Sequence, residues 1–279
     1  MYKMLSVEYR KMISGRTLLV SISLGVLISI INVIENQSFV TWFLEGALIG
    51  TSFSTINLYV RWIGVDQLTL GSSIFFFIFP LLAAIPYSWS YLSEKQQGYT
   101  NHILVRAKQK NYFVAKYIMV FFSGTIAVVI PIIINFALNA LVCPNSTPHV
   151  LNLLTPIGQG SFFSKVFYQQ PLLYCVAACF LYAFWGGVCA VVALTVSLFV
   201  KKPLFAMMSP FVFAVGGDFL RQLLVTPTST TKFETSPLAL IRATSYNMNP
   251  AWYLISIILG LILATFSIVY LKGSKNEIL

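Results

Sequence analysis

Charge is scarce in this chain of 279 residues: Asp, Glu, Lys and Arg together make up 9%, against about a quarter in an ordinary soluble domain. With 57% of residues hydrophobic, there is too little polar side chain to cover a fold in water, and a soluble globular class is excluded. Acidic residues are the scarcer sign, 8 against 18 basic, for a net charge of +10. That excess does not mark a nucleic-acid partner, because the basic residues sit between apolar runs of spanning length and not on one soluble face. Histidine occurs only as His102 and His149, too far apart in topology to share a metal, and no H-E-x-x-H is present, so an intramembrane metalloprotease is excluded. No G-x-x-x-x-G-K-[ST] occurs, so ATP is not bound by that loop. Cysteine pairs of C-x-x-C type are absent. Cys175, Cys179 and Cys189 share one apolar run, where the thiol behaves as a small buried hydrophobe, and no structural disulfide is expected.

What is present is a succession of apolar runs. Residues 1–16 carry Lys3, Arg10, Lys11 and Arg16 against Glu8, with Leu5, Tyr9, Met12 and Ile13 recurring three and four apart, the pattern of an amphipathic interfacial helix. Six spans follow, at about 17–34, 68–92, 117–142, 172–200, 203–220 and 251–271. The first is read as uncleaved. Residues 35–67, with Glu45 inside an otherwise apolar stretch, read as an external amphipathic or re-entrant segment, since a further span there would turn the basic loop 93–116 outward. Pro80 and Pro86 are expected kinks in the second span. Gly186 and Gly187 permit close helix approach in the fourth, and Pro203 opens the fifth after the Lys201-Lys202 turn. Segments 143–171 and 222–249 read as external, as do the glycosylation patterns at Asn36 and Asn145. With both termini cytoplasmic, only Arg61, Lys165, Arg221, Lys232 and Arg242 of the 18 basic residues fall outside, the bias that short positive loops impose. The fold expected is a single all-α integral membrane domain over 1–279.

Polar residues within the spans are few. Asn135 and Asn139 lie one turn apart near the outer end of the third, placed either to line a polar pathway or to hydrogen-bond between helices. Asp218 lies near the outer end of the fifth, within reach of Arg221, where it pairs with that cation or meets a substrate. Val215-Gly216-Gly217-Asp218 has the outline of an intramembrane aspartyl-protease site, but valine replaces its first glycine and no second aspartate stands in the other spans. No catalytic residues are assigned.

The central loop 93–116 is the most informative stretch. Glu94 and Gly98, four apart just after the second span, are followed by Ile103-Leu104-Val105, Lys110 and Lys116. This order resembles the first cytoplasmic loop of type-2 ATP-binding-cassette permeases, and the basic amphipathic start with six spans resembles their layout. Tyr99 and Ala107 stand where that family often has threonine and proline. The resemblance implies a permease in the bacterial plasma membrane, paired with a second permease chain and with separate ATPase subunits that carry the ATP and Mg. It implies that this chain has no cofactor and is not itself an enzyme. It also implies a coupling helix over Gly98 to Lys110, with Glu94, Gly98, Tyr99, His102, Ile103, Arg106 and Lys110 as the coupling residues. Peptide or drug export, with a link to antibiotic resistance, is the substrate class it suggests, followed by lipid or polysaccharide export. A membrane carrier or anchor outside that family is the reading of a different class.

Overall fold

The computed structural model describes residues 2–42, 57–98, 109–148, 157, 163–224, 236–242 and 251–275. Among them there is no strand. The helices are α1 (Tyr2–Ser14), α2 (Arg16–Trp42), α3 (Leu58–Arg61), α4 (Leu70–Ala84), α5 (Ser90–Gln96), α6 (Gln109–Val142), α7 (Ser164–Gln169), α8 (Pro171–Ser197), α9 (Pro203–Leu224), α10 (Pro237–Ile241) and α11 (Ala251–Lys275). Five of them, α2, α6, α8, α9 and α11, are long and apolar enough to cross a bilayer. The protein is an all-α, multi-pass membrane protein.

Four of the five long helices outrun the expected spans, α2 and α6 by about two turns and α9 and α11 by about one. Hydropathy marks the apolar part, whereas α2 and α6 continue beyond it on interhelical contacts made by polar side chains such as Asn36 and Tyr112. The stretch expected as a second span, 68–92, is not one helix. It divides into α4, of 15 residues and about 22 Å, a turn over 85–89 that contains Pro86, and α5. Pro86, expected only to kink the span, falls in the interruption, while Pro80 stays inside α4.

Cross-contacts order the bundle. Asn32, Ser21 and Thr17 of α2 bond to Thr69, to the Leu82 carbonyl and to the Pro86 carbonyl in turn, so α4 runs antiparallel to α2. Ser29 and Asn36 of α2 bond to the Pro131 carbonyl and to Asn139, so α6 runs parallel to it. The Pro131 ring fits because residue 25 is glycine: a Cβ there would stand 2.6 Å from the ring. α6 and α8 cross where Gly124 faces Gly186, and a Cβ on Gly124 would meet the Gly186 carbonyl oxygen at 2.5 Å. Gly186 therefore serves close approach, as the sequence suggests, and Gly187 seats the Phe121 ring.

Two ends of the bundle follow. At the basal end lie α1, α5, the start of α6, the 198–202 turn and the last turns of α11, joined by Gln96 Nε2 to the Lys201 carbonyl at 2.6 Å and by Lys272 over the Phe199 ring. At the distal end lie Asn36, residues 57–72, Asn139, Pro144 and α10.

At the distal end the structure favours the re-entrant form of the 35–67 reading over an exposed external segment. Residues 43–56 lie outside the described residues, but Leu58 to Arg61, Trp62, Ile63, Val65 and Asp66 are all buried in the bundle. Asn36 is fully buried in α2 as well, so its tripeptide is no glycosylation site, whereas Asn145 is exposed. The four cysteines are free thiols.

Candidate functional site

The basal end holds a group of buried charges built from three parts of the chain. α1 is amphipathic, yet its inward face carries Glu8 beside Met12, and both are buried. α5 brings Glu94, and the first turns of α6 bring Tyr112 and Lys116, the latter fully buried. Lys116 Nζ lies 2.8 Å from Glu8 Oε2 and 2.9 Å from Glu94 Oε2. Lys11 Nζ is 2.9 Å from Glu94 Oε1 and 3.7 Å from Glu8 Oε1. The Tyr87 hydroxyl donates to Glu8 at 2.7 Å and the Tyr112 hydroxyl to Glu94 at 2.6 Å. Lys116 also stands 4.6 Å from the centre of the Tyr87 ring.

Two carboxylates and two ammoniums make the group neutral, which is the condition for keeping charge out of water. Burial by itself would raise the Glu94 carboxyl; the Lys116 ammonium outweighs it together with hydrogen bonds from Tyr112, Lys11 and Lys116, so the group titrates below the ordinary glutamate value. Glu94 is a fixed anion at neutral pH. The group has no acid or base free for chemistry; its effect is to bind α1, α5 and α6 into one unit.

Four residues beyond Glu94, Gly98 has φ +71°, a left-handed conformation that glycine adopts without strain. Its N–H donates to the Lys95 carbonyl at 3.2 Å and closes α5. A Cβ at Gly98 would touch nothing within 4 Å, so backbone conformation alone selects glycine there. The chain re-enters the described fold at Gln109, and Lys110 lies over the Tyr270 ring of α11 at 5.4 Å. Of the expected coupling residues, Glu94 belongs to the basal group, Gly98 closes the helix that carries it, and Lys110 lies at the same end of the bundle against α11. Tyr99, His102, Ile103 and Arg106 lie outside the described residues.

Asn135, Asn139 and Asp218 are at the distal end. Asn135 and Asn139 are fully buried, and their amides donate to Asn32 Oδ1 at 2.8 and 3.3 Å, while Asn135 Oδ1 accepts the backbone N–H of Ile63 at 3.0 Å. Asp218 accepts a hydrogen bond from the Ser236 hydroxyl, which also caps α10. Asp66 completes the distal network: it faces Arg61 at 4.0 Å, accepts from Asn32 and Thr69, and takes the Leu68 N–H at 3.0 Å. Arg61 stacks on Phe39, and Arg242 lies over Phe76 and donates to the Ser72 carbonyl.

Between α6 and α8 is a half-open apolar cavity of about 480 Å3, whose lining residues Ile133, Leu172, Val176 and Phe180 are exposed on the outer surface of the bundle. Trp62, Phe136, Cys175 and Phe180 are among its walls. The Trp62 indole N–H and the Thr125 hydroxyl, its hydrogen-bonding groups, are turned to the carbonyls of Ile132 and Ala183. The cavity therefore offers a ligand only carbon and sulfur.

Sequence reasoning missed Lys11, Tyr112 and Lys116 as partners of Glu94, with Glu8 and Tyr87 on the far side of Lys116, and Asn32 and Asn36 as partners of the two asparagines, with Asp66 bonded in turn to Asn32. One signal was legible: Glu8 is the lone acid between Leu5 and Met12, on the apolar face of α1. The chain matches no family model, no curated protein and no solved structure. Among the described residues no group of three or more His, Cys, Asp and Glu could hold a metal.

Proposed function

We propose that the chain is the permease subunit of an ATP-binding-cassette exporter in the bacterial plasma membrane, working as a dimer with separate ATPase subunits that bind ATP and Mg. The observation that carries this reading is the pairing of Glu94, locked to Lys116 and Lys11, with the left-handed Gly98 that releases the chain toward the loop. A partner pressing on 99–108 would act at once on α5 and on the base of α6, because Lys116 fastens the two together and joins both to Glu8 of α1. Moving a fixed unit is how a rigid-body transition is driven from outside the membrane.

In this reading α4 and the first turn of α5 together make the second of six crossings, ending before Glu94, and the basal end is cytoplasmic. The charges support that orientation: Lys3, Arg10, Arg16, Lys95, Lys201 and Lys202 are exposed at the basal end, whereas at the distal end Arg61 is buried against Phe39, Arg242 is half-buried against Phe76, and Lys165 is exposed. The substrate is a peptide or drug-like amphipathic molecule, and the apolar cavity between α6 and α8 supports an apolar portion in it.

The chain should carry an ATPase out of its native membrane. Mild solubilisation of the tagged protein, followed by identification of copurifying chains, should yield a stoichiometric subunit with a phosphate-binding loop and ATP hydrolysis in the eluate. A single chain with no hydrolysis would remove the permease reading.

A further inference from the structure

The helix α1 presents three faces, and the basal group accounts for only one. At 3.6 residues per turn, Met4, Glu8, Lys11 and Met12 share the inward side, where Glu8 and Met12 are buried and Lys11 half-buried. Tyr2, Tyr9 and Ile13 fall together on an adjoining side and are 86%, 51% and 49% exposed. Lys3 and Arg10 form a third, exposed side, and Arg16 follows at the start of α2. Water on all of the outward surface would leave two tyrosines and an isoleucine uncovered beside the base of a membrane bundle. A headgroup layer satisfies both outward sides, since aromatic rings sit at its level and cations face its phosphates.

We propose that α1 is an anionic-phospholipid contact: Tyr2, Tyr9 and Ile13 enter the headgroup layer, and Lys3 and Arg10 pair with lipid phosphates. Charge complementarity selects anionic lipid over zwitterionic, because the outward sides of α1 carry no acid to offset Lys3 and Arg10. The contact reaches the basal group through the opposite side of the same helix, where Glu8 holds Lys116. Lipid composition therefore sets how firmly α1, α5 and α6 are joined. This holds whether or not an ATPase serves the chain.

The test compares thermal unfolding of the full chain in phosphatidylcholine vesicles with and without phosphatidylglycerol. Anionic lipid should raise the midpoint by about 4 °C, and high salt should erase the rise. The double substitution Lys3→Gln/Arg10→Gln changes exposed side chains, so it should leave the phosphatidylcholine value unchanged and remove most of the increment. Lys201→Gln/Lys202→Gln, at the exposed turn before α9, should keep it. No increment in the unsubstituted chain, or an equal increment in both variants, would overturn the proposal and leave the α1 charges as topology determinants only.

Discussion

Lys116→Met is expected to destabilise the protein by about 3–5 kcal/mol, the usual consequence of removing one member of a buried ion pair. Glu8 and Glu94 both approach the Lys116 ammonium within 3 Å, and Glu8 is fully buried. Without Lys116, Glu8 keeps only the Tyr87 hydroxyl and a Lys11 ammonium at 3.7 Å. Thermal unfolding in one lipid or detergent measures the loss. Glu8→Gln in the same chain should recover part of it, because the Glu94–Lys11 pair then stands alone and neutral; a double substitution as costly as the sum of the singles would mean that the two groups are not coupled. Acid should act in the same direction. Glu94 titrates below its ordinary value in the folded state, so its contribution is present above the unfolded carboxyl pKa of about 4 and is lost as pH falls through the lower, folded one. Lys116→Met should flatten that acid limb.

Asp66→Ala should be of similar size, again about 3–5 kcal/mol, but its effect should be local. The carboxylate faces the buried Arg61, accepts from Asn32 and Thr69 and takes the Leu68 N–H. Residues 57–66 are held in the bundle largely by side chains bonding to their backbone: Asn36 to the Arg61 carbonyl, Asn135 to the Ile63 N–H, Tyr182 to the Gly64 carbonyl. Loosening Arg61 should release this segment before the long helices separate. Hydrogen exchange at the Ile63 amide should accelerate far more than in α8. Asp66→Asn, which retains hydrogen bonding and loses the charge, should fall between the two. Equal acceleration throughout would contradict the picture of a separately seated segment.

The long helices were legible because a run of apolar residues long enough to cross hydrocarbon has few other fates. Their ends were not. α2 continues to Trp42 and α6 starts at Gln109, where polar residues such as Asn36 and Tyr112 find partners on other helices that hydropathy does not register. Pro80 and Pro86 read alike in the sequence, as kinks, because each removes a donor; that only Pro86 falls in a break depends on packing that the sequence does not display. The burial of 57–66 was hidden for the same reason. Its backbone is satisfied by Asn36, Asn135 and Tyr182, which stand 25, 72 and 118 positions away from their partners. At the basal end Glu94 and Gly98 stood out by their spacing, whereas the left-handed backbone of Gly98 is a feature of the structure alone. Lys116 could be seen as a loop charge but not as the centre of a buried group, because Glu8 lies 108 positions from it.

The most direct test of the account is ATP hydrolysis by the complex when only the exit from α5 is altered. Gly98 is the position for it: among the described residues no side chain approaches the site, so a substitution changes the path of the chain and leaves the Glu94–Lys116 contact in place. Proline cannot take φ +71° and lacks the N–H that bonds to Lys95, whereas alanine is strained there by about 1–2 kcal/mol. The account predicts that Gly98→Pro inserts, folds and retains its ATPase partner but no longer stimulates hydrolysis, with Gly98→Ala intermediate. Full stimulation by the Gly98→Pro complex would contradict it.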